Sequence, residues 1–223
     1  MNRIRGEAEA VGFVLAGGQS SRMGTDKALL EFRGRPLIMH AADILETAGL
    51  KVYIAGARAE AGPRLEPYAP VIPDSQPGLG PLSGICAALA SDEAEFGVFI
   101  PVDLPLLPAS LILYLVRRAQ ITGCAVTLVS VSGRVETFPA VLARRALPVL
   151  ERELAERRLG CLASFQLTAQ ELGERIAAVD IEALVQSGQV KHPDALPAAR
   201  WFLNLNTEQD LRRAAWLRTT RVS

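Results

Sequence analysis

Apolar positions along the chain switch between two periods. Unbroken apolar runs at Val11-Gly12-Phe13-Val14, Val52-Tyr53-Ile54-Ala55, Val71-Ile72 and residues 96–102 read as buried strands. The β-branched stretch 125–131 and residues 138–142 read as two more. Between these runs, apolar residues recur every three or four positions. Leu37, Ala41, Ile44, Leu45 and Ala48 form one such stripe; Pro36 suits the first helical position and Gly49 the stop. Residues 82–90, after Gly78-Leu79-Gly80-Pro81, predict a second helix. Leu111, Leu115, Arg118 and Ala119, after Pro108, predict a third, and residues 147–158 a fourth with a basic outer face. Residues 201–205 predict a strand, and 207–217 a closing helix capped by Thr207 with Glu208 in its first turn. Residues 160–200 have weak periodicity, with His192-Pro193 and Pro197 inside them, and read as a peripheral excursion.

This β-α-β rhythm predicts a three-layer α/β architecture around a mostly parallel sheet. With no repeat, low-complexity tract or clear linker, residues 1–223 read as one domain, long enough for one well-buried core. The charges balance, 24 basic against 24 acidic, which argues against nucleic-acid binding as the main role. No apolar run approaches the roughly 20 residues of a membrane span. Residues 1–10 are charged and lack the apolar core of a signal peptide. Cys86, Cys124 and Cys161 are odd in number, far apart and without metal-ligand spacing. Buried reduced thiols and a cytoplasmic location are therefore expected.

The densest chemistry follows the first strand: Leu15-Ala16-Gly17-Gly18-Gln19-Ser20-Ser21-Arg22-Met23-Gly24-Thr25-Asp26-Lys27. Glycines let a backbone turn bring its N–H groups to an anion, and Arg22 and Lys27 add positive charge. The P-loop pattern fails because Thr25 and Asp26 follow Gly24; the dinucleotide fingerprint fails because Gly17 and Gly18 touch. The bland alternative is a glycine-rich strand-to-helix turn. Asp103, closing an apolar strand in Pro101-Val102-Asp103-Leu104-Pro105, stands where ligands sit in open α/β sheets. A carboxylate there, opposite a polyphosphate, is placed to hold Mg²⁺; otherwise it caps a turn. Asp74 ends a strand and could contact ribose or base, and Gly80-Pro81-Leu82 opens a helix whose first amides could face an anion. Taken alone, these read as a turn aspartate and an ordinary proline-initiated helix. Alternation would put Asn204 and Asn206 on one strand face. His40 and His192 have no acid or nucleophile pattern beside them, and Arg144, Arg145, Arg152, Arg157 and Arg158 read as a solvated face.

Residues 15–28 resemble, over their whole length, the signature Leu-Ala-Gly-Gly-x-Ser-x-Arg-Met-Gly-x-Asp-Lys-Ala of the molybdenum cofactor guanylyltransferases, within the nucleotidyltransferase superfamily. The stretch from Leu29 to Leu37 resembles that family too, and the likeness runs from residue 11 to about 158 and resumes at 201. The resemblance implies a Rossmann-like nucleotidyltransferase fold, with residues 1–110 mainly binding nucleotide and 111–223 mainly binding the acceptor. It implies transfer of GMP from GTP to the molybdopterin form of molybdenum cofactor, with loss of pyrophosphate. Leu15, Ala16, Gly17, Gly18, Lys27, Asp74, Gly80, Pro81, Leu82 and Asp103 would face the nucleotide. Arg22, Lys27 and Asp103 would serve catalysis, Asp103 would bind Mg²⁺, and Asn204 and Asn206 would lie on the acceptor side. Gly17 and Asp26 favour the guanylyl branch, because cytidylyl relatives tend to have Ala and Asn at these places.

The chain departs from the family at Ala55-Gly56-Ala57, where an asparagine often follows the second strand, and at residues 160–200, which do not align. The alternatives are a cytidylyl- or sugar-phosphate nucleotidyltransferase on the same scaffold, or a nucleotide-binding regulator without catalysis; intact Lys27 and Asp103 argue against the regulator. Expected partners are GTP and a molybdopterin-type acceptor, with neither nucleic acid nor membrane. Transient contact with cofactor-delivery or recipient proteins fits the same reading, and oligomeric state is left open.

Overall fold

The computed structural model describes residues 9–17, 27–74 and 76–215, apart from the side chain of Glu208. Strand β1 (Ala10–Leu15) comes first, and a 3-10 turn at Lys27–Leu29 leads into a small hairpin of β2 (Glu31–Phe32) and β3 (Arg35–Pro36). Then follow α1 (Leu37–Thr47), β4 (Lys51–Ala57), α2 (Gly62–Leu65), β5 (Val71–Pro73), α3 (Pro81–Ser91) and β6 (Phe96–Pro101). The second half has α4 (Ala109–Thr122), β7 (Val126–Val131), β8 (Arg134–Ala143), α5 (Leu147–Ala155) and α6 (Cys161–Glu171). It closes with β9 (Ala177–Asp180), α7 (Ile181–Gln186), α8 (Ala198–Trp201) and α9 (Glu208–Ala215).

Seven strands form one sheet in the order β5-β4-β1-β6-β8-β7-β9. The neighbours of β5, β4, β1 and β6 run parallel, as do β7 and β9; only β8 is antiparallel, to both β6 and β7. The sheet is thus mostly parallel, as its rhythm predicted. The apolar run over 96–102 is central as expected, though parallel on one side only.

Alternation along β1 assigns its two faces. A Cβ on Gly12 would meet Leu45 of α1 at 3.0 Å. One on Gly97, the β6 residue level with Val11, would meet Leu89 of α3 at 3.0 Å. Residues 12 and 11 point to opposite faces, so α1 and α3 cover opposite sides and the sheet is the middle of three layers. On the α3 side Phe13 stacks between Tyr53 of β4 and Phe99 of β6, its register partners, with centroids 6.0 and 5.1 Å away. Such ladders hold parallel strands in register. Their position brings the carboxyl ends of β4, β1 and β6 level.

After β1 the chain builds outward through β4 and β5, then returns through α3 to place β6 on the other side of β1. The order reverses at β1, and in open sheets a reversal opens a crevice above the carboxyl ends of the strands.

Three expectations need correction. Residues 201–205 form no strand. Trp201 ends α8, and its buried indole donates to Leu196 O at 2.8 Å. The backbone beyond it is satisfied without a ladder: Leu205 N–H donates to Asp103 O at 2.9 Å, and the amides of Asn206 and Thr207 reach Asp210 Oδ2 at 3.2 and 2.9 Å. Residues 160–200 are no mere excursion. They hold α6, α7 and β9, and β9 extends the sheet parallel to β7. Pro36 lies just before α1, because it still pairs with Glu31 in the hairpin.

The thiols follow burial. Cys86 and Cys161 are buried, and desolvation of the thiolate pushes them up to about 12 and about 11; Cys124 is half-buried. The predicted basic face is exposed and largely paired within the chain, Arg145 to Glu174, Arg152 to Glu171 and Arg158 to Glu153 and Glu156. No helix among the described residues is long and apolar enough to cross a membrane.

Candidate active site at the ends of β1 and β6

The 3-10 turn after the signature presents Lys27, and β6 ends two residues before Asp103. Lys27 Nζ lies 2.6 Å from Asp103 Oδ2, with the two side chains 17% and 18% exposed. The ammonium also donates to Asn206 Oδ1. Two anchors place the carboxylate: Val102 N–H donates to Leu15 O at 3.3 Å, and Asp103 O accepts the Leu205 amide. Asp103 Oδ1 is buried and makes no hydrogen bond among the described residues. Buried carboxylate oxygens are nearly always satisfied. A lone carboxylate with an unused oxygen matches what Mg²⁺ takes from protein when phosphates and water supply its other ligands. Among the described residues no group of three or more acidic, His or Cys side chains could hold a metal.

The other wall is built from glycine. Gly56 sits at a bulge in β4 with φ 70, where β4 and β5 lose register between Ala55 and Ala57. A Cβ on Gly17 would lie closer to Gly56 O than any non-bonded contact allows, and one on Gly84 of α3 would come 2.7 Å from Gly56 Cα. Three glycines from β1, β4 and α3 thus bring three backbones together under the crevice. Gly17 has a steric reason to be glycine, independent of which base is bound. The sequence marks Gly56 only as a place where the family often has an asparagine, and does not reveal this meeting. A glycine inside a strand pattern is itself a signal of a bulge or close approach.

Asp74 follows β5. Its Oδ1 accepts the Gln76 amide at 3.0 Å and the hydroxyl of Ser83, which is fully buried in the first turn of α3. Asp74 therefore ties a strand end to a helix start, and only part of its carboxylate can face a ligand. Gly80, with φ 75, precedes Pro81 at the first turn of α3. Leu82 is fully buried, so it can offer a ligand only backbone.

Among the sequence-predicted site residues, Lys27, Asp103 and Asn206 come together. Leu15, Ala16 and Gly17 line the end of β1, and Asp74, Gly80, Pro81 and Leu82 the neighbouring strand-to-helix turn. Gly18 and Arg22 lie outside the described residues. Two readings change. Leu15 and Ala16 are expected to face the nucleotide, but their amides are committed to the sheet. Leu15 stays within the ladder, and the Ala16 N–H donates to Ala55 O at 3.0 Å, because the β1–β4 pairing runs one residue past the strand. Asn204 and Asn206 do not share a strand face: Asn206 reaches Lys27, while Asn204 is exposed.

Comparison with known proteins shows the family of the chain. Residues 12–174 match the family of MobA-like NTP transferase domains. The chain is 45% identical over 111 residues to the molybdenum cofactor guanylyltransferase of Xanthomonas euvesicatoria pv. vesicatoria, covering 49% of this chain and 54% of that protein. That match spans about half the length of the relative. With the probable molybdenum cofactor guanylyltransferase of Pelotomaculum thermopropionicum, identity is 29% over 206 residues, 92% of each chain. The crystal structure of molybdopterin-guanine dinucleotide biosynthesis protein A from Archaeoglobus fulgidus shares the fold, with a TM-score of 0.71, 24% identity, and 92% of this chain and 96% of that one covered. With well over half of its length inside that domain and the basic–acidic pair at the strand ends, the chain belongs to the MobA-like NTP transferase family and is a nucleotidyltransferase.

Proposed function

We propose that this protein transfers GMP from GTP to the molybdopterin form of molybdenum cofactor, giving the guanine dinucleotide cofactor. The observation that carries the reading is the Lys27–Asp103 pair, 2.6 Å apart where the sheet order reverses. An oxygen of the acceptor's phosphomonoester attacks the α-phosphorus of GTP; that P–O bond forms, the α–β bond breaks, and pyrophosphate leaves. The monoester is already anionic near neutral pH, so the protein has little proton transfer to perform, and positioning with charge neutralisation suffices. Lys27, exchanging its acidic partner for phosphate oxygens, stabilises charge on the leaving pyrophosphate, and Arg22 on the signature loop adds a second cation. Asp103 would hold Mg²⁺ through its carboxylate, supplying charge neutralisation on the phosphates. Gly17, Gly18, Gly80 and Pro81 bring backbone close to the nucleotide, with Leu15, Ala16 and Leu82 shaping the floor and Asp74 reaching toward ribose or base. Asn206, beside Lys27, and Asn204 lie toward the acceptor. Residues 1–110 serve mainly the nucleotide and 111–223 mainly the acceptor, within one domain working in the cytoplasm.

The deciding experiment is pyrophosphate release from each of the four nucleoside triphosphates, with and without molybdopterin. Acceptor-dependent release with GTP supports the reading. Release with CTP alone replaces the donor, release with sugar phosphates replaces the acceptor, and tight GTP binding without turnover removes catalysis.

A further inference from the structure

Arg33 occupies the two-residue turn between β2 and β3 with φ 51, followed by Gly34 at φ 75. Two left-handed residues make the tight turn a hairpin favours, but arginine is an unusual choice for the first. Its guanidinium lies over the Phe32 ring, Cζ 5.0 Å from the centroid, and Nη1 donates to Asp194 Oδ2 at 3.3 Å. Nε and Nη2 are buried and have no hydrogen-bond partner among the described residues. Those two atoms carry the parallel N–H bonds of the guanidinium's side-on edge, the edge that fits two oxygens of one phosphate or carboxylate. Asp194 takes the other corner. The strongest pairing edge of a largely buried cation is therefore unmatched among the described residues, whereas buried donors in proteins are usually satisfied.

The surroundings tie this edge to the active site. Arg33 follows Lys27 by six residues, on the hairpin that the signature feeds. Asp194 belongs to the stretch 191–196, which lies against the segment leaving Asp103. His192 bonds Leu106 O at 3.2 Å through Nε2 and sits 6.0 Å from the Trp201 ring, and Ser110 Oγ donates to Lys191 O at 2.8 Å. Arg33 thus joins the hairpin that follows Lys27 to the 191–196 stretch.

We propose that the Nε/Nη2 edge of Arg33 binds the phosphate-class oxyanion of the acceptor, with Asp194 positioning the guanidinium through Nη1. This rests on the nucleotidyl-transfer reading and makes Arg33 a specificity residue of the acceptor half-site.

The test fills the nucleotide site with Mg²⁺ and a non-hydrolysable analogue of whichever triphosphate binds, then titrates inorganic phosphate calorimetrically into wild type, Arg33→Lys, Arg33→Ala and Asp194→Asn. Wild type should bind phosphate; both Arg33 variants should weaken it by about tenfold or more, because lysine keeps the charge but loses the fork. Asp194→Asn should weaken it less, and triphosphate affinity should stay within about twofold. In turnover, Arg33→Lys should raise the acceptor KM more than it lowers kcat. The proposal is overturned if wild type takes up no phosphate, if Arg33→Lys binds it as wild type does, or if the Arg33 variants lose triphosphate and phosphate in parallel, as a purely structural arginine would. Failure of the transfer reading shows separately, as absent acceptor-dependent pyrophosphate release by wild type.

Discussion

Lys27 Nζ stands 2.6 Å from Asp103 Oδ2 and also donates to Asn206 Oδ1, so one ammonium joins segments 76 and 179 residues apart in sequence. Under the proposed function each partner would be wanted elsewhere once substrate binds. A cation already held at the strand ends needs only an exchange of partners, not a search, to meet a polyphosphate.

Lys27→Ala removes that cation. Turnover should fall by well over about tenfold, since the lost contact is one that strengthens as charge builds on the leaving group. Stability should change by about 1–3 kcal/mol, because Asp103 is left a mostly buried carboxylate without its cation. Steady-state kinetics beside denaturant unfolding checks both. A stable Lys27→Ala protein with full activity removes the role.

Asp103→Asn keeps shape and loses charge. With Oδ1 buried and unmatched, the aspartate is the best described carboxylate for a phosphate-bound cation. The variant should need about tenfold or more Mg²⁺ for half-maximal turnover. An unchanged Mg²⁺ titration moves the ion to other residues.

Gly17→Ala tests the glycine contact. Its Cβ would drive into Gly56 O, and that of Gly84→Ala into Gly56 Cα. Backbone on either side cannot swing away as a side chain can, so each should destabilise by about 1–3 kcal/mol. Gly56→Ala has space, its nearest neighbour being 3.6 Å away, and should cost only the left-handed backbone, about 1 kcal/mol. Chemical denaturation orders the three; wild-type stability in Gly17→Ala would refute the close approach.

How far the sequence reads depends on where the information lies. Unbroken apolar runs located β1, β4 and β6, because strands covered on both faces carry no polar positions. The signature loop pointed to Lys27, and the strand end to Asp103, because both are local patterns. What stayed hidden is pairwise. Trp201, Leu203 and Leu205 alternate like a strand, yet their backbone is satisfied by Asp103 O and Asp210, which no local period can reveal. Residues 177–180 are too short to read as a strand without β7 beside them. Nothing local marks Arg33 either; its partner Asp194 lies 161 positions on.

Acid should weaken the fold through two histidines. Burial pushes His40 and His192 below the usual imidazole value, against the carbonyls of Phe32 and Leu106 that each ring bonds. Asp194 opposes the shift at His192 and Arg33 adds to it, while His192 Nδ1 accepts the Asp194 amide at 3.0 Å and cannot do so when protonated. Below about pH 6.5 the unfolded chain binds these protons and the folded chain does not. The stabilisation is present above that pH and is lost as pH falls through the depressed folded values. The unfolding midpoint should therefore climb between about pH 5 and pH 7. His192→Gln, which keeps a donor for Leu106 O, should flatten that climb; an identical slope would exclude His192 as a contributor.

The cap of α9 should connect stability to activity. Thr207 Oγ1 accepts the Asp210 amide at 3.1 Å, while Asp210 Oδ2 accepts from the Thr207 hydroxyl and amide and from the Asn206 amide at 2.8, 2.9 and 3.2 Å. This reciprocal cap also sets the backbone of Asn206, whose side chain meets Lys27. Thr207→Ala should cost about 1 kcal/mol, the usual loss for a side-chain cap. Because Asn206 is freed at the same time, turnover should fall further than the small loss of folded protein explains. Thr207→Ser, which keeps the hydroxyl, should restore both. The check is kcat at a temperature well below the unfolding transition: if Thr207→Ala matches wild type there while unfolding earlier, the cap stabilises α9 without placing Asn206.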